Sequence, residues 1–190
     1  MEILQFDFMR NALLVGLLVS IACGMIGTYV VVKRIVFISG GISHTAYGGI
    51  GLGYYLGFNP MLGATLFTIV SALGMGLVQQ RSSQRQDTVI GVMWAVGMAL
   101  GIMFIKLSPG YTADLMSYLF GSILTVTRED LVFMGSLLVI TAIFLSTFYR
   151  DLLAMGYDED FARTRGIPVS LLHTALVILV SLVVVVVIRV

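Results

Sequence analysis

Charged positions along the 190 residues fall in short clusters and leave long apolar stretches between them. The charge-free windows run from Asn11 to Val32, Ile35 to Gln80, Thr88 to Ile105, Leu131 to Tyr149 and Gly166 to Ile188. A hydrocarbon core about 30 Å thick is crossed by roughly 20 apolar residues in a helix, and each window is long enough. The second is about twice a span, and Gly57-Phe58-Asn59-Pro60 in its middle is turn chemistry that divides it into two helices joined by a tight hairpin. The apolar runs are continuous rather than alternating, so these are helices and not the strands of a barrel. The pattern predicts an all-α integral membrane protein, a polytopic helical bundle of about six spans.

A further apolar piece, Leu115 to Thr127, is only about 13 residues long and follows Asp114 and the turn-like Ser108-Pro109-Gly110. It is read as a short interfacial or re-entrant helix, with a short tilted crossing as the alternative. If it does not cross, one membrane face receives Lys33, Arg34, Arg81, Arg85, Arg150, Arg163 and Arg165, and the other receives Arg10, Lys106 and Arg128. The positive-inside rule then places the amino terminus outside and the segment from Arg150 to Val169 in the cytoplasm. If it does cross, the amino-terminal half inverts. The first apolar run is longer than a signal core and no A-x-A site follows it, so it is expected to remain as a helix. At the other end, Val177 to Val190 is still apolar at its last residue, with Arg189 as its one charge, which reads as an incomplete chain.

Composition agrees: 58% of residues are hydrophobic and 11% charged, whereas soluble domains carry roughly 25% charged residues. A water-soluble monomer is excluded, and the formal net charge of +1 offers no basic surface for nucleic acid. Cys23 is the one cysteine, so an intrachain disulfide or a cysteine-based metal cage is impossible. A metal must therefore meet histidine, carboxylate or backbone oxygen.

Three features rise above the apolar background. Between Gly40 and Gly57 stand seven glycines, although each costs about 1 kcal/mol against alanine in a helix interior. Gly49, Gly53 and Gly57 share one face on which another helix can approach closely. In the same run His44 lies roughly 15 Å from the membrane surface, near the midplane. A titratable group there is a functional candidate: neutral imidazole facing a cavity suits a passing zinc, manganese or iron ion. The plainer reading is a histidine that only hydrogen-bonds across a helix interface. Ser43, carbonyls freed near Gly40 and Gly41, and Asp114 are weaker partners for an ion, Asp114 serving equally well as the cap of the short helix that follows.

The second feature is Tyr157 to Pro168. Acids at its start, bases at its end, Gly166 as a stop and Pro168 beyond it signal a short helix. Too short to hold alone in water, it needs its own bundle or a partner to rest on, and Phe161 with Ala162 supplies an apolar knob; a mere connector is the bland alternative. The third is Gly97 with Gly101, a helix-packing spacing, preceded by Asp87 as the expected helix cap. The 11 methionines are scattered and read as packing. His173, near the interface, reads as a snorkelling or capping residue. No nucleophile with a base, H-E-x-x-H, paired intramembrane carboxylates or phosphate loop occurs, so enzyme chemistry has little support.

From Phe8 to Val190 the chain resembles the permease subunits of the ABC-3 family, importers of zinc, manganese and iron(II). Four ordered blocks carry the resemblance: FMRNALLVGLLVSIACGMIGTYVVVKRIVFISGGISHTAYGGIGLGYYLG, DTVIGVMWAVGMALGIMFI, SYLFGSIL and DEDFARTRGIPV. It implies a vitamin-B12-importer-like (type II ABC importer) permease in the cell membrane. Residues 1–190 form one transmembrane permease domain, incomplete at its carboxyl terminus because the family carries roughly two further spans. Such permeases work as a pair beneath an extracytoplasmic metal-binding protein and above two ATPase subunits that hydrolyse the ATP. Residues 157–168 then hold the cytoplasmic coupling helix, with Glu159, Phe161, Ala162, Arg163 and Gly166 as ATPase contacts. The resemblance implies no tightly bound cofactor, only the transported divalent ion, with zinc placed first and manganese and iron(II) next. One departure bears on that ion: family members commonly carry an Asp four residues before the histidine of the glycine-rich helix, and here that place holds Gly40. Two other classes compete. A secondary transporter calls for intramembrane carboxylates in pairs; an inactive structural fragment leaves His44 in a glycine-rich helix unexplained.

Overall fold

The computed structural model describes residues 6–81, 86–108, 123 and 126–189. Among them the chain forms α1 (Asp7–Val32), α2 (Val36–Leu56), α3 (Pro60–Arg81), α4 (Gln86–Leu107), α5 (Arg128–Thr147), α6 (Tyr149–Tyr157), α7 (Glu159–Thr164) and α8 (Val169–Arg189). Five helices, α1, α3, α4, α5 and α8, are long and apolar enough to cross a membrane. The 21-residue α2 is also of spanning length, about 30 Å at roughly 1.5 Å per residue. Its six glycines dilute its hydropathy, but 11 of its 21 residues are buried against 5 of 26 in α1, so protein rather than lipid surrounds it. Outward-facing Leu13, Leu66, Val70, Val132 and Ile143 are exposed, the apolar surface that a bilayer requires.

The expected hairpin forms where the turn residues stand. Gly57 takes a left-handed φ of 73°, Phe58 N–H bonds back to Gly53 O and Gly57 N–H to Tyr54 O, and Pro60 opens α3, whose first turn needs no proline N–H. The same two-bond stop ends α1, where Ile35 N–H reaches Val30 O and Arg34 N–H reaches Val31 O. There the left-handed residue is Arg34, at φ 55°. At α5 a capping box joins Thr127 and Asp130, which satisfies two orphan N–H groups reciprocally.

Contacts along the spans set their directions. Asn11 of α1 donates to Val126 O at 3.3 Å and Arg128 lies 4.0 Å from Asp7, so α1 and α5 start on one face. At its other end α1 meets α6 and α7 through Lys33. Across α2 and α3, Gly49 packs on Gly63 and Gly53 on Pro60; across α2 and α4, Thr45 packs on Gly97 and Tyr47 on Gly101. Therefore α3 is antiparallel and α4 parallel to α2, and α4 ends on the face where α5 begins. The chain leaves at Ser108 and returns at Val126 on one side; apart from Ile123, Val126 and Thr127, the 115–127 segment lies outside the described residues. Lys33, Arg34, Arg150, Arg163 and Arg165 gather at the opposite, basic end.

One apolar core runs through the bundle, with Val15, Ile38, Ile42, Met75, Leu176 and Val180 at its centre. A second, smaller one at the basic end packs Leu145, Leu152, Met155, Ala162, Val169 and Leu172. It explains α6, which the charge-free windows do not predict: Leu152 and Met155 point into this core while Arg150 and Tyr157 stay exposed.

Candidate functional site

The glycines of α2 remove side chains where neighbouring backbones pass. A Cβ on Gly49 or on Gly63 would collide with the other's carbonyl oxygen, one on Gly97 would stand 2.9 Å from Thr45 Cα, and one on Gly101 would stand 2.6 Å from the Tyr47 carbonyl. Gly53 faces Pro60 Cα at 2.7 Å in the same sense. Gly48, Gly51 and Gly63, which the spacing argument does not single out, are equally tight. Gly57 departs from the expected packing face: nothing lies within 4 Å of its Cβ position, and its place is explained by the left-handed turn that ends α2.

His44 sits near the middle of α2, half-buried. Its ring stacks on Trp94 of α4 with centroids 4.1 Å apart and planes 12° from parallel, while its Nδ1 is buried with no hydrogen-bond partner. Ser43 Oγ donates to Gly40 O at 2.7 Å, leaving its lone pairs as acceptors. The helix is continuous through Gly40 and Gly41, so their carbonyls are not freed in the way the glycine pair suggests. Asp114 lies outside the described residues. Among those that are described, no three His, Cys, Asp or Glu side chains form a group able to hold a metal ion. A Cβ on Gly40 would meet only Trp94, at an ordinary 3.8 Å, so this departure from the resembled pattern leaves room for a side chain one turn from His44.

At the basic end, the expected helix within 157–168 occupies Glu159–Thr164. Asp158 caps it, accepting from Asp160 N–H at 2.9 Å and Phe161 N–H at 3.0 Å. Gly166, at φ 79°, closes it, with Ile167 N–H on Ala162 O and Gly166 N–H on Arg163 O. Phe161 is 52% exposed and carries Arg165 over its ring at 5.2 Å; Arg163 and Gly166 are exposed as well. Ala162 is a correction: it is fully buried among Leu152, Met155 and Leu172, so it seats α7 on its own bundle and is not part of an outward knob. Glu159 is exposed, but its carboxylate is engaged by Lys33 Nζ at 2.6 Å, turning it partly toward the bundle.

Two further corrections concern single residues. His173 is 5% exposed and its Nε2 is buried without a partner; α8 turns it into the bundle, so it does not snorkel. Asp87 lies inside the first turn of α4, where a carboxylate favours the positive helix end, and not at the cap. Lys33 and Trp94 are the residues that sequence reasoning passed over. Lys33 counts there only as a charge for orientation, and Trp94 carries no spacing signal, although as the one tryptophan in an apolar span it invited notice.

Against known proteins, the ABC 3 transport family matches residues 5–190. The chain is 53% identical over 188 residues to an uncharacterized membrane protein of Synechocystis sp., covering 99% of this chain and 67% of that one. It is 33% identical over 182 residues to the manganese transport system membrane protein MntC of Halalkalibacterium halodurans, covering 96% of this chain and 62% of that one. Among solved structures, PsaBC from Streptococcus pneumoniae in complex with Fab superposes with a TM-score of 0.82 at 30% identity, covering 98% of this chain and 67% of that chain. The chain thus spans about two thirds of the length of these relatives.

Proposed function

This chain belongs to the ABC 3 transport family, and on that footing we propose that it is the membrane permease subunit of an ATP-driven importer for a divalent transition-metal ion. It hydrolyses nothing itself. In this reading two copies form the path, an ATPase subunit binds the cytoplasmic face, and an extracytoplasmic metal-binding protein delivers the ion. The basic end is the cytoplasmic one, following the excess of lysine and arginine there. The observation that carries the proposal is α7: a helix of six residues, far too short to persist alone, is held by a side-chain cap, a left-handed glycine and a buried alanine, and presents Phe161 outward. A rigid projection of this kind transmits motion of a docked ATPase to the bundle.

The ion passes His44 at the glycine-rich helix. The described donors at that turn are the unpartnered His44 imidazole nitrogen and the Ser43 hydroxyl. One imidazole and one hydroxyl do not by themselves choose between zinc and manganese, whereas the relative MntC is named for manganese. On the strength of that relative, manganese is placed ahead of zinc, the ion that the resemblance puts first. The test is co-expression with the ATPase in the complete complex: the wild type co-purifies with it, and Phe161→Asp abolishes co-purification while leaving the folded bundle intact. Retention of the ATPase by Phe161→Asp would refute the role assigned to α7.

A further inference from the structure

Lys33 is an unusual place for a charge. It is the C-cap of α1, just before the left-handed turn at Arg34, and its side chain is only 7% exposed. Its ammonium donates to Met155 O at 2.7 Å and to Glu159 Oε1 at 2.6 Å. Met155 belongs to the last turn of α6, where carbonyls have no intrahelical N–H partner, and Glu159 opens α7. One nitrogen therefore joins three helix ends. Beside it a polar cavity of about 190 Å³ is lined by Lys33, Gln79, Glu159, Arg163 and His173, so the clamp is bounded by space and not wedged by apolar packing.

Burying an ammonium costs more than packing an aliphatic side chain of equal size. A leucine or methionine at position 33 would fill the same volume without that cost, so stability alone does not account for a lysine. An ammonium with two fixed acceptors does what an aliphatic chain cannot, because it sets the angle between α6 and α7 and ties that corner to α1. The turn that follows leads directly into α2, which starts at Val36 and carries His44 two turns farther on. We propose that Lys33 is a positioning residue that couples the ATPase-facing helix α7 to the metal-facing helix α2. This rests on the function proposed above. Displacement of Phe161 and Glu159 moves the end of α1, and with it the start of α2, as one body. Without the clamp α7 keeps its cap and its buried Ala162, and so still docks, but it swings independently of α2.

The experiment uses the complete complex in proteoliposomes with manganese(II) as the probe, comparing wild type, Lys33→Met and Lys33→Arg. Lys33→Met is expected to co-purify with the ATPase and to keep basal ATP turnover within about twofold, while manganese stimulation falls about tenfold, the scale of a typical coupling between sites. Lys33→Arg, which keeps charge and donors, is expected to retain most of the stimulation. Wild-type stimulation in Lys33→Met would overturn the inference. So would a parallel loss of basal turnover, stimulation and thermal stability in Lys33→Met that Lys33→Arg fails to restore, since that describes a merely structural residue. Failure of the wild type itself to retain the ATPase would instead refute the proposed function, and the inference with it.

Discussion

The centre of the bundle and its basic end are held by opposite means. Around α2, helices touch backbone to backbone at Gly49 with Gly63 and at Gly97 and Gly101 with Thr45 and Tyr47. Few side chains stand between the backbones, Thr45 and Phe67 among them, so these contacts shift with little repacking. At the basic end, α6 and α7 rest on a small apolar core and are fixed by polar groups: the Asp158 cap, the Gly166 stop and the Lys33 ammonium. The difference assigns separate tasks: a smooth core on which helices shift past one another, and a polar corner that passes motion from α7 to the bundle.

The largest effect follows from the smooth core. Gly49→Ala places a methyl into the Gly63 carbonyl, a backbone atom that cannot turn aside, and overpacking of this kind costs about 1–3 kcal/mol. A thermal melt of the purified protein should show the loss, whereas Gly91→Ala, with nothing within 4 Å, should leave the melt unchanged or raise it. Should both behave alike, close backbone approach is not what the glycines serve. Next comes Asp158→Ala, which removes the α7 cap and costs that helix about 1 kcal/mol. Hydrogen exchange should rise at residues 160 and 161 and stay flat in α2, confirming that the corner yields by itself.

Smaller again, and of opposite sign, is Arg34→Gly. The stops of α2 and α7 place glycine in the left-handed position, and α1 alone of the three uses arginine. A non-glycine residue there costs about 1 kcal/mol, part of which glycine returns through its greater freedom in the unfolded chain, so glycine is expected to raise the melting temperature slightly. A lower melting temperature would mean that the arginine side chain supplies more than the strain removes. Gly40→Asp is expected to change the melt least, because its Cβ meets only Trp94 at ordinary distance. Its effect should appear as tighter manganese binding by titration calorimetry, since a carboxylate then shares a helix face with His44. Unchanged binding would place the ion away from this turn.

What could be read in the sequence divides along physical lines. Span positions, the Gly57 to Pro60 hairpin and the short helix before Pro168 depend on local composition and capping, and they stand where the residues announce them. The partner of each side chain depends on chain folding. Lys33 and Glu159 are 126 residues apart, and neither carries a mark of the other. His44 and Trp94 meet only because α2 and α4 run parallel. Ala162 shows the limit at short range: six helical residues do not reveal which face is covered until Leu152 and Leu172 are placed beneath it.

In the proposed function a metal ion passes His44 on a path driven through α7. Manganese-stimulated ATP turnover of the complete complex in proteoliposomes, wild type against His44→Ala, tests it most directly. The variant is expected to keep its ATPase partner and its basal turnover and to lose most of the manganese stimulation. Stimulation equal to wild type, with the complex intact, would contradict it and leave His44 as a residue that only packs against Trp94.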